Sequence, residues 1–95
     1  LLSFRGGRAN LVEMTLPVGS PYAGSRVGDV PLPGNTVLTG IIREGHPIAP
    51  TRDDALEPLD ELLFLTTPDV EAELETLLSP GQRHKRDSED PDDER

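Results

Sequence analysis

Asn35-Thr36-Val37-Leu38-Thr39-Gly40-Ile41-Ile42-Arg43-Glu44-Gly45-His46-Pro47-Ile48-Ala49-Pro50 is the stretch whose reading decides the fold. Branched side chains dominate from Thr36 to Ile42, and such residues suit a pleated, half-buried surface. Glu44-Gly45 supplies a turn, and His46 to Pro50 reads as a short returning strand. The whole predicts a β-hairpin.

Working toward the N-terminus, Pro31 and Pro33 break regular structure. Ser25 to Val30 predicts a short helical turn packed through Val27 and Val30, with Ser20-Pro21 ahead of it as a turn or cap. Asn10 to Leu16 alternates, with Leu11, Glu13 and Thr15 on one face and Val12, Met14 and Leu16 on the other. That is the period of a half-buried strand, ended by Pro17 and Gly19. Leu1 to Ala9 is basic and Gly-bearing and reads as a linker or the end of an upstream domain.

Toward the C-terminus, Thr51 to Asp60 is acidic and loop-like. Glu61 to Thr66 carries Leu62-Leu63-Phe64-Leu65, a continuous apolar run that predicts a strand buried on both faces. Thr67-Pro68-Asp69 then opens a helix with a Thr cap, Pro at the first position and acids in the first turn. Val70, Leu74, Leu77 and Leu78 form its apolar stripe, Glu71, Glu73 and Glu75 its wet side, and Ser79-Pro80-Gly81 its stop. From Gln82 to Arg95 no apolar residue occurs, so the segment 80–95 is expected to be a disordered charged tail. The folded unit is expected at 10–79. Its class is α+β: a small, mostly antiparallel sheet with a hairpin, one short helix and one longer helix.

The composition excludes several functions. The chain has 95 residues, 34% of them hydrophobic and 28% charged, with a net charge of -9. Such a charge argues against nucleic acid as a partner and against docking on anionic lipid. Arg83 to Arg86 form a basic patch, but the acids from Asp87 to Glu94 screen it. No apolar run approaches the roughly 18 residues of a membrane span, so direct membrane insertion is not expected. There is no cysteine, hence no disulfide and no thiolate metal site. The opening Leu1-Leu2-Ser3-Phe4-Arg5 has neither an initiator Met nor a signal pattern, and predicts a piece of a longer protein.

Catalytic chemistry finds little to work with. His46 and His84 are the two histidines, and a lone histidine beside a turn is more often a surface residue than a general base. Asp53, Asp54, Glu57, Asp60 and Glu61 could offer oxygen to a hard cation, but they lack the spacing of a calcium loop. The reading is that this protein is not an enzyme and holds no metal and no cofactor.

The ordered set of motifs resembles the TrkA C-terminal domain, also called the RCK C-terminal domain. Asn10-Leu11-Val12-Glu13-Met14-Thr15-Leu16-Pro17, with Gly19-Ser20-Pro21 and Ala23-Gly24, is similar to the family's opening. Asp29-Val30-Pro31-Leu32-Pro33 stands where the family has an Asp-Leu-Pro element. Ile41-Ile42-Arg43-Glu44-Gly45 and Pro47-Ile48-Ala49-Pro50 follow as its strand, turn and return. At Glu57-Pro58-Leu59-Asp60 the family has Glu-Pro-Gly-Asp, so Leu59 replaces a glycine. The resemblance spans Asn10 to Leu78.

The resemblance implies a cytoplasmic regulatory domain of a potassium transport system. The unit would dimerise, sit against a membrane-embedded potassium transporter subunit at the inner face of the cell membrane, and carry a ligand site at the dimer interface. In some relatives that ligand is cyclic di-AMP. The residues best suited to it lie in the hairpin. Val37, Leu38, Ile41, Ile42 and Ile48 offer apolar surface for bases, Arg43 a cation for phosphate, and His46 a ring that stacks and titrates. Two other readings stand beside this one: a ligand-free dimerisation scaffold, and the regulatory module of a cation/proton antiporter.

Overall fold

A computed structural model describes residues 9–80. Except for Ala9 and Pro80, the expected linker and the expected charged tail lie outside the described residues. Four strands and one α-helix make up the domain: β1 (Asn10–Thr15), β2 (Val37–Arg43), β3 (His46–Ile48), β4 (Glu61–Thr66) and α1 (Glu71–Leu78). All pairings are antiparallel and the strand order is β1-β4-β2-β3. The α+β class and the hairpin read from the sequence are both present.

β1 alternates as its sequence does. Val12 and Met14 turn inward toward the buried Leu16, while Leu11, Glu13 and Thr15 are exposed. The β2–β3 hairpin closes through Glu44 and Gly45 at φ 52° and 80°. Two left-handed residues in succession form the turn whose twist matches that of the flanking strands. Thr39 is an extra residue in β2, where the register against β4 shifts between Leu38 and Gly40. Its hydroxyl donates to the Leu63 carbonyl at 3.0 Å. Because of this bulge, Leu38 and Ile41 both face inward although three positions apart.

The expectation for β4 needs correction. Leu62, Phe64 and Thr66 are buried, but Leu63 and Leu65 are only half-buried. α1 and the loops cover one face of the sheet and leave the other to solvent. The core comprises Leu16, Ile41, Leu56, Leu62, Phe64, Leu74 and Leu78, with Met14, Val27, Val30 and Leu38 packed against it. Burying side chains of this size stabilises by roughly 1.5–3 kcal/mol each before entropy is counted.

The expected short helix is a single 3-10 turn at Val27–Asp29. The longer helix begins as a 3-10 turn at Pro68–Val70 and continues as α1. Thr67 has the extended backbone of a cap and its carbonyl accepts from the Val70 N–H at 3.1 Å, yet its side chain makes no cap bond. Its hydroxyl oxygen is buried without a hydrogen-bond partner among the described residues. Ser20, by contrast, uses its side chain as expected: the Tyr22 N–H donates to its hydroxyl oxygen at 3.2 Å.

Candidate functional site

The alternation of a strand divides the hairpin residues between two faces. Ile41 is 1% exposed and sits in the core. Leu38 and Ile48 pack against that core from the same side, and Ile48 pairs with Ile41. Val37 lies on the open face, 57% exposed, across from Leu65. Ile42, half-buried, lies on that open face too, between Pro47 and Glu61. His46 is exposed at the start of β3 and pairs with Arg43. Thus Val37, Ile42 and His46 are reachable from solvent, and Leu38, Ile41 and Ile48 hold the ribbon from beneath.

Arg43 has a partner the sequence did not reveal. Its Nε donates to Asp60 Oδ1 and its Nη2 to Asp60 Oδ2, each at 2.8 Å, a two-pronged pairing of guanidinium and carboxylate. Nη2 also donates to the Ala55 carbonyl at 3.0 Å, and Nη1 lies 3.2 Å from Glu57. The hydrogen bond to Asp60 raises the Arg43 pKa further still, against the opposing effect of burial.

The Asp60 side chain is 1% exposed. Burial by itself pushes its carboxyl upward, and this is the largest single influence. Hydrogen bonds from Arg43 and from the Glu57 N–H (2.9 Å), with the Arg43 charge, together outweigh it and hold the group below its ordinary value. The backbone of Asp60 is also engaged: its carbonyl accepts from Leu16 N–H and its N–H donates to Glu57. That second bond closes a turn with Pro58 and Leu59 at its centre, and Leu59 stands at φ 72°. A turn of this form asks for φ above zero at its third residue, where glycine is at ease and leucine is strained.

The acidic loop is therefore a built element. Gly24, Val27 and Gly28 donate to the carbonyls of Leu56, Asp54 and Arg52, and Leu56 donates to Ser25. Leu56, placed in this loop by sequence, is a core residue at 2% exposure. Its neighbours do not gather as cation ligands. Among the described residues no group of three or more acids or histidines is arranged to hold a metal ion. Nor is any helix among them long and apolar enough to cross a membrane.

A sheet ordered β1-β4-β2-β3, with a bound loop beneath the hairpin and one helix on the inner face, defines a small α+β domain. The chain matches the TrkA-C domain family over residues 11–79 and belongs to that family. It is 45% identical over 81 residues to the Trk system potassium uptake protein TrkA of Mycobacterium tuberculosis, which covers 85% of this chain. The chain spans 37% of that relative's length. Among solved structures, that of an RCK domain with cda superposes with a TM-score of 0.66 at 25% identity, covering 73% of this chain and 97% of the other. The RCK_C domain dimer of Streptococcus agalactiae BusR in complex with c-di-AMP gives 0.64 at 22% identity, covering 72% and 93%. That second likeness carries the fold.

Proposed function

We propose that this chain is a non-enzymatic regulatory domain of a cytoplasmic potassium-uptake subunit, working as a homodimer that senses cyclic di-AMP and gates a membrane-embedded transporter. The observation that carries this is membership of the TrkA-C family, with 45% identity to a Trk potassium uptake protein. That likeness favours an uptake system over an antiporter. The choice of ligand is supported by two fold neighbours, one solved with cda and one with c-di-AMP.

The ligand surface in this proposal is the hairpin, Val37 to Ile48. Val37, Ile42 and His46 make the contacts, and Leu38, Ile41 and Ile48 fix the ribbon that presents them. Arg43 orders the hairpin against Asp60 and keeps a positive charge beside it. A two-fold axis through this region would offer each half of a symmetric dinucleotide the same groups. The ligand gates only to the extent that it binds one arrangement of the two protomers better than the other.

Titration calorimetry with cyclic di-AMP, paired with sedimentation, tests the reading. One ligand per two chains is expected, with binding weakened by Val37→Asp and His46→Ala. A dimer that gives no heat supports the scaffold reading instead. A chain that stays monomeric and binds nothing overturns the proposal. Arg43→Ala is unsuited here because it strips the partner from a buried carboxylate.

A further inference from the structure

β1 is an edge of the sheet: it pairs with β4 on one side and with no strand among the described residues on the other. A cavity of about 450 Å³ runs along that free edge. Glu13, Met14 and Thr15 form its strand wall, and Glu75, Leu78 and Ser79 its helix wall. Exposed strand edges are templates for another chain, because their outward N–H and C=O groups await a ladder.

The charge around this edge is one-sided. Glu13 lies opposite Leu63 and Thr15 opposite Glu61, which places Glu13 and Glu61 diagonally adjacent on the open face. A hydrogen bond between these two carboxyls, then the Glu13 charge, raises the Glu61 pKa. Among the described residues no cation lies within ion-pair distance of Glu13, Glu61 or Glu75; Arg43 is held by Asp60 and Glu57, and Arg26 by Asp53. Two acids set diagonally across β1 and β4, with no described cation beside them, make this edge acidic.

We propose that the outer edge of β1 from Leu11 to Thr15, unpaired among the described residues, docks an extended basic segment of a partner protein, which adds as a fifth strand and sets an arginine or lysine beside Glu13. The side-chain period of two dictates the partner's pattern. Residues falling on the Glu13 side meet Glu13 with Glu61 behind it, and should be basic. Residues on the opposite side meet Met14 and the end of α1 at Leu78, and should be apolar. The occupant is thus an alternating basic and apolar strand. This surface is separate from the hairpin, and the proposal stands whether or not a nucleotide binds there.

The test is a 1H–15N correlation titration of the chain with a capped Val-Arg-Val-Arg-Val-Arg-Val peptide, and with the same peptide carrying Glu for Arg. Amide shifts confined to Leu11 to Thr15 and the end of α1, seen with the basic peptide alone, are expected. Glu13→Gln, at an exposed position, should weaken binding about threefold to fivefold, the range of one surface ion pair. Raising salt should weaken it as well. No shifts up to millimolar peptide, equal response to both peptides, shifts mapping to Val37–Ile48, or indifference to Glu13→Gln would each overturn the assignment.

Discussion

Replacing Arg43 by methionine keeps the apolar stem and removes the guanidinium. Asp60, 1% exposed, then keeps one described side-chain hydrogen bond, from the Glu57 N–H, and loses two at 2.8 Å. Breaking a buried ion pair from one side costs about 3–5 kcal/mol, because an uncompensated charge remains inside. The Arg43 side chain is 26% exposed, so water softens the loss, and about 3 kcal/mol is the expected figure. A folded unit of this size has roughly 4–10 kcal/mol in total, so Arg43→Met should be marginal. Urea unfolding followed by circular dichroism should show the midpoint falling by roughly 1–3 M at pH 7. The double variant Arg43→Met/Asp60→Asn should recover much of the loss, since the charge is gone and the Glu57 N–H keeps an acceptor. The pH dependence supplies a second reading. In the parent, Asp60 titrates below its unfolded value. Its contribution is therefore present above about pH 4 and is lost as pH falls through the lower folded value. In Arg43→Met both Arg43 contributions are gone, and burial, the largest influence, outweighs the remaining Glu57 N–H bond, so the folded pKa lies above the unfolded one. The folded state then binds more protons, and stability should rise as pH drops from 7 toward 4. A stability loss under about 1 kcal/mol at pH 7, or the same pH slope in both proteins, would refute the account of Asp60.

Two further outcomes follow from the backbone and the buried hydroxyl. Leu59→Gly should raise stability by about 0.5–1 kcal/mol, since relief of the left-handed strain exceeds the added chain entropy; a thermal melt showing loss would mean that the 64% exposed Leu59 packs against something. Thr67→Val should raise stability by up to about 1 kcal/mol in urea unfolding, because the hydroxyl is buried without a partner among the described residues; destabilisation would show that the oxygen is satisfied.

Sequence pattern carried the local structure far. The β1 alternation, the Glu44-Gly45 reversal and the Pro68 helix start each follow from rules that act within a few residues, and each is where those rules place it. What was hidden depended on distance along the chain. Arg43 and Asp60 are 17 residues apart, and nothing local says that the hairpin's cation is bound to the loop. Leu56 looks like a loop residue until Gly24 and Ser25 pin it over the core. The candidate ligand residues scattered over two faces for a related reason. A bulge at Thr39 resets which side each residue of β2 takes, and a strict two-residue count cannot see an inserted position. Leu63 and Leu65 misled in the opposite sense: their run of apolar neighbours reads as double burial, while the open face of the sheet leaves them half-covered.

The strand order has a consequence for how the domain comes into being. β4 is the last strand to be synthesised, yet it bonds both β1, some fifty residues earlier, and β2. Until Glu61–Thr66 has left the ribosome, β1 has nothing to bond to, and the nascent chain can show at most an isolated β-ribbon, marginal in water. Folding must therefore await nearly the whole unit and should be slower than that of a helical bundle of equal length. A release that stops short of Thr66 would yield no partial domain, only a chain whose sheet cannot assemble.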